Sequence, residues 1–276
     1  MVFVTKFDGT RQPFDRNKVI GTCIKKGVNR AAAETIADMV ESKVYDGIPT
    51  KKILQMIFAA LEPHRPAIKH QTNLREAISL LRSKPDFENF VQLLLKEHGY
   101  KVDPNRIVRG KCIEHEIDAI AGKNGETILV EIKHHFDHHT RTHLDVSRQV
   151  RATFEDLVEG FGLGLNSVNF SKALIVCNTK FSEHARQYAK CRGIACIGWN
   201  SPPEHGLEQM IEEKNLHPIT LIKGLDAKTE EKLGDNGVIL VRQLIEHDLD
   251  KLSRRTGIKK DKLAILMKKA REIISG

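Results

Sequence analysis

Between residues 114 and 133 the chain alternates, turns, and then becomes continuously apolar. Ile113, Ile117 and Ala119 fall on one side of an extended run, with Glu116 and Asp118 near or on the other. The GKNGE stretch supplies turn residues, and an apolar run over 127–132 follows. The pattern predicts a β-hairpin. On either side the period changes. Phe87, Phe90, Val91, Leu94 and Leu95 recur at helical spacing until Gly99, after which an extended turn leads into the hairpin. Downstream, residues 146–161 predict a helix, 172–177 a buried strand, 182–192 a helix and 193–199 a last strand. Helix, hairpin, helix, strand, helix, strand makes an α/β unit: a mixed sheet flanked by helices.

The flanking segments read differently. At the N-terminus Val2 and Val4, a DGT turn and Phe14 predict a small hairpin. Asp15 then caps a helix with Lys18 in its first turn, and helical patterns follow over 31–44, 50–61 and 70–80. A polar RSKPDF junction separates this segment from the α/β unit. After it, 201–216 contains SPPEHG and reads as a linker with some helix. The tail contains two units of helix, glycine turn and helix, turning at 223–225 and 256–258. The expected segments are therefore 1–83, mainly helical; 84–200, α/β; 201–216, linker; and 217–276, helical.

Composition narrows this only modestly. With 40% hydrophobic and 29% charged residues in 276, and no apolar run long enough to cross a bilayer, the expectation is a folded cytoplasmic protein without a signal peptide or membrane partner. A net charge of +8 points to a polyanionic partner, and RNA, DNA or an anionic surface would all satisfy it. Cys23, Cys112, Cys177, Cys191 and Cys196 lack paired zinc spacing, and their odd number argues against a disulfide framework. Reduced core cysteines are expected.

Chemistry enters at the hairpin. Strand alternation puts Glu131 and Lys133 on one side, and pairing across the hairpin can set Asp118 beside them. Two carboxylates and an ammonium at a strand end suit Mg²⁺-dependent hydrolysis of a phosphodiester; they also suit an ordinary outward-facing salt bridge. The D-(spacer)-E-I-K arrangement resembles the PD-(D/E)xK nucleases. Over 86–199 the order of elements looks like the Mrr-type restriction endonucleases and the archaeal Holliday-junction resolvases. That resemblance implies a restriction-endonuclease-like fold. It also implies a site in which Asp118, Glu131 and the carbonyl of Ile132 hold Mg²⁺ or Mn²⁺, Glu88 from the FE pair of the first helix completes it, and Lys133 orients water. Gln149 and Arg151 would lie near its edge.

The N-terminal segment resembles the ATP-cone through VTK-DG, F-x3-K and the YDGIPT turn. The resemblance implies that Lys6 and Lys18 meet the phosphates of ATP or dATP, that Thr50 lies near the nucleotide, and that binding alters self-association into homo-oligomers. Phe7 stands where the family has a basic residue, and Leu54 where a histidine is common. An interaction or dimerisation module without nucleotide is the other reading. The tail resembles tandem helix-hairpin-helix motifs, which implies DNA phosphate contacts from Lys223, Gly224, Arg254, Arg255, Gly257, Lys259 and Lys260; a small protein-interaction bundle is the alternative.

His134, His135, His138, His139 and His143 follow the hairpin. A transition-metal site, a DNA-facing loop and a solvated loop all fit, and the spacing without carboxylate or cysteine partners favours the last two. Taken together, the sequence predicts a metal-dependent endodeoxyribonuclease regulated by a nucleotide. The alternative is a non-catalytic, nucleotide-sensing DNA-binding regulator; an RNA-processing enzyme fits less well, because helix-hairpin-helix modules grip duplex DNA. No base-edge reader is identifiable, so sequence-specific, structure-specific and trimming activities stand equally open.

Overall fold

A computed structural model describes residues 2–275 and divides the chain into two compact units, residues 1–72 with 264–276 and residues 73–263. In the first, β1 (Phe3–Thr5) pairs antiparallel with β2 (Arg11–Pro13) as the expected hairpin. The helices are α1 (Arg16–Lys25), α2 (Arg30–Glu41) and, after β3 (Ile48–Pro49), α3 (Thr50–Leu61). β3 joins β1 in parallel, an addition that a two-residue strand could not announce in sequence. Asp15 caps α1 by accepting the Asn17 amide at 3.0 Å. Val4, Ile20, Cys23, Ile36, Ile48, Ile57 and Leu61 form the core.

The second unit opens with the seven-residue α4 (Leu74–Leu80), ahead of the junction. The division after Thr72 therefore falls earlier than the pattern suggests. The reason is packing: Leu74, Ala77 and Ile78 are buried, and the Ala77 carbonyl accepts the Thr220 hydroxyl at 2.6 Å. Next come α5 (Glu88–Glu97), β4 (Lys101–Arg109), β5 (Glu114–Lys123), β6 (Glu126–Lys133) and β7 (Arg141–Thr142). They are followed by α6 (Leu144–Gly162), β8 (Lys172–Cys177), β9 (Lys180–Phe181), α7 (Glu183–Cys191) and β10 (Ile194–Ile197). The main sheet has the order β10-β8-β6-β5-β4: β10, β8 and β6 are parallel, and β5 runs antiparallel to both its neighbours. Between β5 and β6, Asn124 (φ 52°) and Gly125 (φ 79°) both take left-handed backbone, as a two-residue hairpin turn requires.

β4 is an edge strand where only an extended turn was expected. Its DPN sequence carries a turn signature, but Pro104 costs nothing on an edge, and the ladder merely skips Asn105 (φ 47°), which falls opposite Asp118. One face of the sheet is sealed by α6 and α7 through Ile117, Leu129, Val150, Leu157, Ile175 and Ala185. Phe87, Phe90, Val91, Leu94 and Leu95, at the start of α5 and along it, are buried as their spacing predicts. Of the cysteines, none is in a disulfide; Cys23 and Cys177 are core residues, whereas Cys112 and Cys191 are exposed, contrary to expectation.

The rest of the chain comprises α8 (Leu207–Glu213), α9 (Ala227–Gly234), α10 (Val241–Glu246), α11 (Leu249–Thr256) and α12 (Lys260–Ser275). Residues 201–216 are packed: Leu207, Met210, Ile211 and Leu216 are buried. Before Gly224 there is only a three-residue 3-10 turn, Ile219–Leu221, where a full helix was expected; the chain at Pro218 is instead extended and bridged to Leu240. The later turn is as expected, with left-handed Gly257 between α11 and α12.

α9 meets the start of α5 through a buried charge cluster. Arg82 binds Asp86 (2.5 and 3.0 Å) and Asp235 (2.8 Å), and Gly234 lies so close that a Cβ would stand 2.7 Å from both Asp86 oxygens. Glu230, 5% exposed, faces Asp86; burial and that second carboxylate push its pKa up, against the pull of Arg82. The folded state thus holds a proton that the unfolded chain releases in the ordinary glutamate range. Stability should therefore fall as pH rises from that range towards neutrality, and level off once Glu230 ionises in both states. Glu230→Gln keeps the hydrogen-bonding shape without the charge. The expected outcome is a melting temperature about 3 °C above the parent's at pH 8, with the two equal near pH 4; parallel profiles across this range would contradict the assignment.

Candidate active site

The site is set by strand register. Ala119 pairs with Val130 and Ile120 with Leu129, so continuation of the ladder brings Asp118 opposite Glu131 on one face. Ladder bonding changes there: the Ile132 amide donates to Asp118 Oδ2 at 2.8 Å. One oxygen of Asp118 is thereby committed to the backbone and the other is turned to the site. Lys133, two residues from Glu131 on the same strand, reaches back to its carboxylate at 2.6 Å.

Glu88, in the first turn of α5, lies over the same end of the sheet. Its carboxylate is connected to Asp118 through Lys84, whose ammonium stands 3.0 Å from Glu88, 3.6 Å from Glu116 and 3.8 Å from Asp118. Gln92, one turn further along α5, donates to the Asp118 carbonyl at 3.4 Å. Four carboxylates therefore share two ammonium groups. Burial pushes the Glu88 and Glu131 carboxyls up, partly offset by the hydrogen bonds from Lys84 and Lys133 respectively, and the neighbouring Asp118 charge pushes both further up. The hydrogen bond to Glu88 raises Lys84 in turn. Such a cluster favours added positive charge.

Among the described residues, no three His, Cys, Asp or Glu side chains are grouped closely enough to hold a metal ion as they stand. The Lys84 ammonium instead lies among Glu88, Glu116 and Asp118, and that of Lys133 against Glu131. The chemistry of the donors nevertheless fits a hard divalent cation: carboxylate oxygens from Asp118, Glu131 and Glu88, with the Ile132 carbonyl on the same strand. The Lys84 ammonium is a cation already standing between two of them.

Lys84 and Glu116 were not singled out by the motif. Alternation does place Glu116 on the Asp118 face, and the spacing of Lys84 to Glu88 is one helical turn, the signal by which it could have been found. Gln149 is exposed on α6, and Arg151 is paired with Glu155 at 2.7 Å.

The histidine segment is anchored more firmly than a solvated loop. His134 packs between Phe87 and Phe136, hydrogen-bonds Ser83 Oγ at 2.9 Å, and is pushed down to about 4 by burial, so it is neutral at pH 7. The His135 backbone is held on both sides by the Asn178 amide, at 2.8 and 2.7 Å. The His138 carbonyl accepts from Arg75. Phe136 is left 70% exposed three residues beyond Lys133.

Elsewhere, the register Thr5↔Pro49 brings Lys6 and Thr50 to the ends of adjacent parallel strands. Lys18 lies 3.8 Å from Asp15, within its own helix cap. In the tail, Lys223, Arg254, Arg255, Lys259 and Lys260 are exposed. Arg255 bonds Asn236, Lys260 bonds Asp250, and Lys232 donates to the Gly257 carbonyl at 3.2 Å. Beyond Gly224 the start of α9 is capped by Asp226, which also pairs with Lys262; a carboxylate thus sits where a phosphate would approach.

Among the described residues, no helix is long and apolar enough to cross a membrane. Residues 82–198 match the Mrr catalytic model, a restriction endonuclease domain, and residues 217–274 match the model described as AF1548-like, C-terminal. An uncharacterized protein of Archaeoglobus fulgidus is 36% identical over 182 residues, which are 66% of this chain and 94% of that protein. The crystal structure of AF1548, a protein of unknown function, superposes with a TM-score of 0.59 at 32% identity, covering 74% of this chain and 100% of that one. The chain belongs to the family of these AF1548-like proteins and carries within it a restriction-endonuclease-type domain of the Mrr class.

Proposed function

We propose that the protein is a divalent-metal-dependent endodeoxyribonuclease whose substrate is DNA. The observation that carries this reading is the placement of Asp118 and Glu131 opposite one another at the end of paired strands, with Lys133 2.6 Å from Glu131 and Glu88 above them. A Mg²⁺ or Mn²⁺ ion held by Asp118, Glu131, Glu88 and the Ile132 carbonyl would supply Lewis-acid polarisation of the scissile phosphate and a more acidic water. Asp118, fixed by the Ile132 amide, keeps its free oxygen pointed into the site. Lys133, on leaving Glu131, donates to the attacking water or a phosphate oxygen. The α11–Gly257–α12 turn, with exposed Arg254 and Lys259, supplies a grip on backbone phosphates that reads no base. The Gly224 turn, closed by Asp226, contributes less. In the N-terminal unit, Lys6 and Thr50 at neighbouring strand ends support binding of ATP or dATP as a regulator.

Chemistry and grip should separate. Glu131→Ala or Lys133→Ala should lose at least about a hundredfold in Mg²⁺-dependent cleavage with DNA affinity nearly unchanged. Arg254→Ala combined with Lys259→Ala should lower affinity and reduce the log-log salt slope by about two. Persistent cleavage by the first pair would remove the site from the mechanism.

Asp118 should show two roles. Asp118→Asn, which still accepts the Ile132 amide, should be inactive yet nearly as stable as the parent, whereas Asp118→Ala should also lose about 1–3 kcal/mol by leaving a buried N–H unpaired. Equal stability of the two variants in urea unfolding would count against the structural role.

For the nucleotide, calorimetry should show ATP or dATP binding that Lys6→Ala weakens at least about tenfold through loss of a phosphate contact. The mass seen by light scattering should change with it. No heat with either nucleotide would leave this unit an interaction module.

A further inference from the structure

Resting on the metal-dependent reading above, we propose that Lys84 is a gate on the metal site: its ammonium occupies the space between Glu88, Glu116 and Asp118 that an incoming divalent cation needs. Three observations carry this. The ammonium lies within 3.0–3.8 Å of three carboxylates from two different elements, so it neutralises the cluster and does not serve a single partner. Two of those partners are nearly buried, with side-chain exposures of 7% for Glu88 and 11% for Asp118, so without a cation they would repel each other in a medium that screens poorly. Lys84 itself is 62% exposed, so its side chain can leave towards solvent without opening the core.

The gate follows from charge balance. A metal-free site needs a positive charge to stay folded in this form, and Lys84 provides one that is covalently attached and always present. A divalent cation that takes the same carboxylates must displace it, and the cost of that displacement weakens metal binding. Lys133 cannot substitute, because it is engaged with Glu131. The competing segment is short and anchored at both ends: Arg82 and Asp86, two residues to either side of Lys84, are bonded to each other.

The test is metal binding without DNA, read by calorimetry with Mn²⁺ on the full chain. Lys84→Met removes the charge and keeps the length, so its Mn²⁺ affinity should rise about tenfold, a magnitude set by one partly screened charge contact. Lys84→Arg should bind no tighter than the parent. In a second readout, Lys84→Met without metal should melt below the parent, and saturating Mn²⁺ should raise its melting temperature more than the parent's. If the parent binds Mn²⁺ and Lys84→Met binds it equally or more weakly, the gate is overturned while the metal site stands. If neither the parent nor Lys84→Met binds Mn²⁺, the metal-dependent reading falls and the gate with it.

Discussion

A carboxylate that accepts a backbone amide in place of a ladder carbonyl is the constraint on which the site depends. When the Ile132 amide turns to Asp118, the strand keeps its position while the side chain loses its freedom. A buried amide left without an acceptor costs about 1–3 kcal/mol, so the bond contributes to stability as well as to the geometry of the cluster. Everything else in the cluster takes its coordinates from that point. Glu131 lies opposite by register, Lys133 follows two residues later, and Gln92 ties α5 to the carbonyl of the same aspartate. Asn105, on the outer neighbour, leaves the ladder opposite Asp118, so the pairing at the edge of the sheet is interrupted beside the cluster.

Where the sequence could be read, it was because a local rule and the tertiary environment agreed. The β5–β6 hairpin rests on alternation plus an Asn-Gly turn, and α5 on Phe90, Val91, Leu94 and Leu95, all buried. β8 and α3 match their apolar runs. The misses share a cause. β4 was hidden because Asp103-Pro104-Asn105 carries turn chemistry, which an edge strand tolerates and a central strand would not. The 3-10 turn at Ile219–Leu221 was read as helix because its residues are apolar, and the period of three residues cannot be separated from one helical turn. In the site, Asp118, Glu131 and Lys133 follow from pairing alone, but Lys84 lies on a junction whose conformation depends on what docks against it.

What docks there is the C-terminal module. The segment from Arg82 to Glu88 has two faces with opposite partners. Arg82 and Asp86 point to α9, where Asp235, Glu230 and the bare backbone of Gly234 enclose them. Lys84 and Glu88 point to the carboxylates at the end of the sheet. Alternate residues of one short stretch thus serve the packing against α9 and the carboxylate cluster.

The tail is therefore part of what holds this segment in place. Asp86 is fully buried, and a buried carboxylate that loses its arginine is strongly destabilising, so α9 and the segment over 82–88 hold one another in place. Further ties run the same way: Thr220 to the Ala77 carbonyl, His98 to the Met210 carbonyl, and Arg242 to Glu97. A helix that packs against the segment carrying the lysine beside the carboxylates can shift that lysine without any large motion. Displacement of α9 would reach Lys84 through only two residues of backbone, at a point where 3.0 Å separates an ammonium from the carboxylate it neutralises. The tail's charges and the site's charges therefore belong to one electrostatic arrangement, in which the position of Lys84 depends on both.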